Sequence, residues 1–159
     1  MTRAYGPDAT RSRSIQLNES EVCMANDPQK KHVRSYVKRD AAQERAYSPA
    51  VITQGGKIVW LAGQTVVDDE QGNSLAGDFS GQAREIFSRI AKTLDQAGGT
   101  LADIVTMTVS ITDARFGDQL TKIRKEIFGD NFPASALITV AGLAKPEMLL
   151  EVQAIAVVD

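Results

Sequence analysis

The chain has 159 residues, 43% apolar and 24% charged, with a net charge of −2, which fits one ordinary domain large enough to bury a core without disulfide or metal staples. So balanced a charge excludes a general polyanion partner, and no nucleic acid is expected. No apolar run approaches the roughly 18–20 residues of a membrane helix, so no membrane partner is expected, and the single cysteine, Cys23, excludes an intrachain disulfide and points to a reducing, cytoplasmic setting.

Residues 1–40 carry eight Lys/Arg against five Asp/Glu, whereas 41–159 carry ten against fifteen. The first segment lacks hydrophobic periodicity and holds turn formers such as Gly6-Pro7-Asp8 and Asn26-Asp27-Pro28. It is expected to be an N-terminal extension, flexible over at least residues 1–25. Its basic cluster, Lys30-Lys31-His32-Val33-Arg34 with Lys38-Arg39, is expected to be a solvated linker rather than an anion site. Neither His32 nor Cys23 has a companion at zinc-site spacing, so no metal is expected.

The domain proper, 41–159, opens on a short strand, Ala50 to Gln54. Gln54-Gly55-Gly56-Lys57 supplies a turn, and Ile58 to Ala62 is expected to return as the second strand of a hairpin. Asp68-Asp69-Glu70-Gln71-Gly72-Asn73 lacks the alternating ligands of a calcium loop and is expected to be a plain polar turn. Ser80 to Ala97 has the clearest helical stripe: Ala83, Ile86, Phe87, Ile90, Ala91 and Leu94 recur at helical spacing. Asp78 or Ser80 can cap its start, and Gly98-Gly99 can end it. In Ile104 to Thr112, Val105, Met107, Val109 and Ile111 alternate with Thr106, Thr108, Ser110 and Thr112, giving a strand with one apolar and one hydroxyl face. Phe116 to Phe128 is a second amphipathic helix with Phe116, Leu120, Ile123 and Ile127 on its stripe. Two apolar strands close the chain, the first within Phe132 to Val140 and the second within Leu149 to Val157. In the second, Glu151 and Gln153 stand opposite Leu150, Val152 and Ala154. A carboxylate in so apolar a strand sits either on a wet face or in a cleft.

Two one-sided helices and about five strands make a two-layer α+β domain with a mixed sheet. The helices cover one sheet face only. The other is expected to carry Trp60, Leu137 and part of the last strand, a surface apolar enough to favour self-association.

Six segments, Ala46-Tyr47-Ser48-Pro49-Ala50-Val51, Leu61-Ala62-Gly63-Gln64, Ala97 to Val105, Thr108 to Asp113, Phe132-Pro133-Ala134 and Glu151 to Val157, resemble in their order the reactive-intermediate deaminase (Rid, or YjgF) family. The resemblance spans residues 45 to 159. It implies a chorismate-mutase-like α+β subunit, with two helices on one sheet face. It also implies a homotrimer whose sheets form a central barrel and whose small-molecule ligands sit in clefts between subunits. It implies hydrolysis of enamines and imines to a 2-oxo acid and ammonia, with no cofactor and no metal.

In that family an arginine in a Pro-Ala-Arg-Ser segment clamps the substrate carboxylate through a two-bond fork. A glutamate of the last strand positions the attacking water, and a tyrosine and a serine complete the cleft. By resemblance, Glu151 takes the glutamate position and Tyr47 the tyrosine position. Ser135 stands at the arginine position, Ala62 at the serine position beside Gly63, Leu137 at a cysteine position, and Thr121, after one insertion, at an asparagine position. Losing a charged fork typically costs about 2–5 kcal/mol of binding, so a poor deaminase of small 2-imino acids is expected. Lys145 and Arg115 are the candidate replacement cations. The resemblance implies a deaminase-like hydrolase of a small imine, enamine or amide. A non-catalytic ligand-binding or regulatory trimer, or a structural subunit of a larger assembly, is the alternative.

Overall fold

The computed structural model describes Val22–Met24 and residues 32–159. The flexible stretch expected over 1–25 lies, apart from Val22–Met24, outside the described residues. The chain runs β1 (Val22–Met24), β2 (Val33–Val37), α1 (Asp40–Glu44), β3 (Ala50–Gln54), β4 (Lys57–Gln64), α2 (Phe79–Gln96), β5 (Ile104–Ile111), α3 (Gly117–Phe128), β6 (Ala134–Thr139) and β7 (Leu150–Val158).

The alternation written into β7 organises the larger sheet, whose order is β4-β7-β5-β6. β7 runs antiparallel to both neighbours, while β5 and β6 are parallel, so the sheet is mixed. Leu150, Val152, Ala154 and Ala156 point to the helix side and are fully buried. There they meet Leu61, Met107, Val109 and Ile111 of the other strands and the stripes of α2 and α3. The α2 stripe is buried at Ala83, Ile86, Phe87, Ile90 and Leu94. Asp78 caps the helix by accepting a hydrogen bond from the Gly81 N–H at 2.9 Å. The α3 stripe is buried at Leu120 and Ile123, and Phe116 stacks on Phe79 with ring centroids 4.4 Å apart. The result is a two-layer α+β fold with both long helices on one face of a mixed sheet.

The opposite face is open in the single chain. Strand register places Trp60 beside Ile155, and Thr106 beside Ile155 on the other side. Trp60 is 75% exposed and Ile58 59% exposed. Leu137 is not part of this surface: it pairs with Val109, so it faces the helix side.

Two expectations need correcting. β3 and β4 do not form a hairpin with each other. β3 pairs with β2, from Val33↔Gln54 to Val37↔Ala50, in a separate antiparallel sheet ordered β1-β2-β3, while β4 pairs with β7. Gly55 and Gly56 do turn the chain through positive φ. Gly56, however, is also a point of close approach: a Cβ there would stand 2.7 Å from Val157 Cγ1 and from the Val158 carbonyl oxygen. The glycine pair thus lets the backbone pass against the end of β7 while a better-registered partner, β2, takes the β3 edge.

The second correction concerns the basic cluster. His32 and Arg34 are buried, Arg34 at 5% exposure, and they are not part of a solvated linker. The Arg34 guanidinium donates to Asp103 Oδ1 at 2.8 Å, to His32 Nε2 at 2.7 Å and to the Ala102 carbonyl. With Nε2 accepting, the His32 proton lies on Nδ1, which donates to Asp159 Oδ1 at 2.8 Å. Asp103 in turn accepts from the Thr100 N–H at 2.7 Å and from its hydroxyl at 3.1 Å, closing a capping box. Burial lowers the Arg34 pKa, but hydrogen bonds to Asp103 and Tyr36 outweigh it and hold the group above its ordinary value. A segment assigned by sequence to the extension therefore ties the start of the described domain to its end.

Removing one partner of a buried ion pair strands the other charge, at a cost of about 3–5 kcal/mol. Arg34→Met is expected to lower the unfolding free energy by that amount in a urea titration, whereas Arg39→Met, at an exposed position, is expected to shift it by less than about 0.5 kcal/mol.

Candidate functional site

Four of the predicted site residues come together. Tyr47, Thr121, Ser135 and Leu137 line a cavity of about 320 Å³, joined by two residues sequence reasoning did not select, Arg45 and Arg124. Local structure explains the convergence. Helix α1 ends at Arg45, and Ala46 turns the chain in the left-handed region at φ 56° with its methyl fully buried. This non-glycine conformation carries strain that the surrounding packing must hold. The Tyr47 N–H donates to the Ala42 carbonyl and the Ser48 N–H to the Pro133 carbonyl, both at 3.1 Å. A bridge between Ser48 and Ala134 completes the anchor. Tyr47 is thereby pinned beside the start of β6, where Ser135 and Leu137 face α3.

The cavity wall on α3 is polar. Thr121 Oγ1 donates to the Gly117 carbonyl at 2.9 Å, so its oxygen retains only acceptor capacity. Arg124 is 3% exposed. Among the described residues its Nε and Nη2 have no hydrogen-bond partner, and neither does the buried Ser135 hydroxyl. Arg45 is half exposed and pairs with Asp118 through Nη1 at 2.7 Å. Burial, and then the nearby Arg45 charge, push the Arg124 pKa down to about 10, which still leaves it a cation at neutral pH.

The other predicted residues are elsewhere. Glu151, Ala62 and Gly63 meet at an irregularity in the β4–β7 ladder, where register shifts between Leu61 and Gln64. A Cβ on Gly63 would stand 2.9 Å from Glu151 Cδ, so glycine makes room for that side chain. Glu151 pairs in register with Ser110, on the hydroxyl side of β5. Ser135 pairs with Met107, on the buried side. Within one chain, then, Glu151 and the cavity lie on opposite faces of the same sheet. The candidate replacement cations are not at the cavity either. Arg115 is bound to Asp113, 2.8 Å from Nε to Oδ2, and holds that carboxyl down to about 2, while Lys145 is exposed on the β6–β7 connection. Asp69, in the acidic loop, accepts from Gln71 and Asn73 N–H groups at 2.9 and 2.8 Å, as a self-capped turn does.

Arg124 did carry a sequence signal. It lies four residues after Leu120 and four before Phe128, inside the apolar stripe of α3 rather than opposite it.

The architecture defines a small α+β subunit of the chorismate-mutase-like type with an open sheet face and a polar cavity at a sheet edge. Comparison with known proteins agrees. A family model described as Endoribonuclease L-PSP matches residues 37–158. A RutC family protein of Pyrococcus abyssi is 33% identical over 110 residues, covering 69% of this chain and 84% of the relative. A member of the YjgF/YER057c/UK114 family from Mycobacterium tuberculosis has a structure with 31% identity and a TM-score of 0.57, covering 79% of this chain and 99% of that one. A Rid-family protein of unknown function from Yersinia pestis shares the fold with a TM-score of 0.70 at 23% identity, over 79% of this chain and 98% of that one. The chain belongs to the Rid/YjgF family.

A buried cation without a partner opposes folding. Holding the Arg124 pKa well below its ordinary value, at about 10, corresponds to a penalty on the order of 3 kcal/mol, because each pKa unit is worth about 1.4 kcal/mol. A cation whose folded pKa is depressed carries this penalty in full below the folded value and is relieved of it as pH rises above it. At pH 7, without ligand, Arg124→Met is therefore expected to raise the unfolding free energy by about 1–3 kcal/mol, measured by chemical denaturation.

Proposed function

We propose that the protein is a homotrimer that hydrolyses the C–N bond of a small imine, enamine or amide in clefts between subunits. The observation carrying this reading is the split site: Tyr47, Thr121 and Ser135 share a cavity beside the edge strand β6, while Glu151 lies on the opposite, open face of the sheet. Trp60 and Ile58 make that face strongly apolar, as expected of a surface covered by another copy. Packing of a neighbour's sheet face against the β6 edge brings a Glu151 to the cavity from outside, a geometry one chain alone does not reach. Family membership supports both the oligomer and the chemistry.

In this mechanism Glu151 of one copy takes a proton from water. The water oxygen bonds to the C=N carbon, and the π electrons move to nitrogen, which is protonated. Collapse of the resulting carbinolamine restores a C=O bond, breaks the C–N bond and releases ammonia. The Glu151 carboxylate has no hydrogen bond within the described residues, so its lone pairs are available for water. The Tyr47 hydroxyl, likewise without a partner there, donates to the substrate. Ser135 supplies a neutral hydroxyl where family members carry the clamping arginine, so 2-imino acids held in the usual way are poor substrates. The replacements at Ser135 and Ala62 also support a second reading, a ligand-binding or regulatory trimer without turnover.

Incubation with freshly generated imino acids and simple amides is expected to release ammonia, with Glu151→Ala reducing the rate by at least a hundredfold. Equal rates for wild type and variant on every compound would leave only the binding reading. Light scattering is expected to give three times the chain mass, and a monomer would remove the intersubunit cleft.

A further inference from the structure

The cavity beside Ser135 has a charge balance that no group among the described residues resolves. Arg124 contributes one buried positive charge, and Arg45 a second that Asp118 offsets. Its surroundings then hold about one uncompensated unit of positive charge. The Arg124 edge that carries Nε and Nη2, the edge with which a guanidinium grips two oxygens at once, has no partner among the described residues. The Ser135 hydroxyl is buried beside it and equally unpartnered, and so is that of Ser48, which bridges to the residue preceding Ser135. Buried polar groups in folded proteins are almost always satisfied, and buried charges are paired. Here one guanidinium and two hydroxyls fail that rule within one small region, which points to a ligand.

We propose that Arg124, with Ser135 and the Arg45 mouth, binds the carboxylate of a small mono-acid, restoring from helix α3 the anionic handle that β6 lacks. One net positive charge matches a carboxylate monoanion better than a phosphate dianion. The cavity volume of about 320 Å³ suits a molecule of a few carbons. Arg45 guards the opening, where its pair with Asp118 is half exposed and free to exchange. The proposal rests on the site described above for its location, but not on turnover, because binding is read without chemistry. It specifies the substrate class: an acid held from the α3 wall, not a neutral amide.

Isothermal calorimetry on the full chain tests this with 2-oxobutyrate, 2-oxobutanamide and inorganic phosphate. The carboxylate is expected to bind at least tenfold more tightly than the amide and than phosphate. Arg124→Met is expected to fold, keep the wild-type oligomer mass and lose at least tenfold in carboxylate affinity. Arg124→Lys, which keeps the charge but not the fork, is expected to fall between. Glu151→Ala is expected to bind the carboxylate whether or not it loses ammonia release, which separates failure of this proposal from failure of the hydrolase reading. Undiminished carboxylate binding by Arg124→Met overturns the proposal, as does tighter binding of phosphate or of the amide. Should Arg124→Met dissociate the oligomer, Arg124 is an interface ion-pair partner and the proposal fails. If that variant does not fold, the Arg124 Nε–H resonance of wild type replaces it: a shift on carboxylate titration supports the assignment, and an unmoved resonance at saturation overturns it.

Discussion

The parity of strand β7 is the constraint on which the rest of the structure depends. Side chains alternate across a strand, so a shift of one residue would exchange its two faces. With Leu150, Val152, Ala154 and Ala156 committed to the helices, Glu151 and Gln153 have no choice but the open face. The same register fixes Trp60 and Ser110 on that face, and Met107 and Val109 on the other. Through β5, it also decides that Ser135 and Leu137 turn toward α3. One hydrophobic pattern thus separates the carboxylate from the cavity and makes a second copy necessary for them to meet.

A second constraint acts at the ends of the described chain. Arg34 reaches Asp103 at 2.8 Å, and His32 connects it to Asp159. The Arg34–Asp103 pair is buried, so its attraction is offset by desolvation and its net contribution to stability is modest. The effect of these contacts is on arrangement: the network holds β2 against the end of β7 and against the turn before β5. That placement gives β3 a partner other than β4. In place of the hairpin expected from Gly55-Gly56, Gly56 serves a close passage by Val157 and Val158.

Much of the fold was legible because its signals are periodic. The α2 stripe, the alternation of β7 and of β5 from Met107 onward, and the Asp78 cap appear where the pattern places them, whereas an irregularity at Ile104–Thr106 buries Ile104 more fully than Val105. What escaped was carried by long-range pairing. β2 is short and rich in charge, and nothing local in Val33–Val37 says that Arg34 will find Asp103, 69 residues away. The candidate site divides similarly. Family resemblance led to Tyr47, Thr121, Ser135 and Leu137, which do share a cavity, whereas composition alone would not have joined them. Lys145 and Arg115, the candidate cations, both lie at the surface, Lys145 exposed on the β6–β7 connection and Arg115 bound to Asp113. Arg124 was overlooked because an arginine on an amphipathic helix is normally assigned to its wet face, although its spacing from Leu120 and Phe128 places it within the dry one.

That position makes Arg124 the most telling residue of the site. A buried guanidinium that lacks a counter-ion among the described residues weakens the fold by several times the value of an ordinary hydrogen bond, and a methionine of similar length would remove the penalty. Groups that oppose stability in this way concentrate where a ligand compensates for them. On the proposed reading, the neutral Ser135 and a cation at Arg124 that has no partner among the described residues are two sides of one arrangement. The cavity keeps a cation but draws it from the helix wall instead of the strand. In the proposed arrangement the hold on an acid comes from α3 and not from β6, and the position of the acid relative to Glu151 shifts with it.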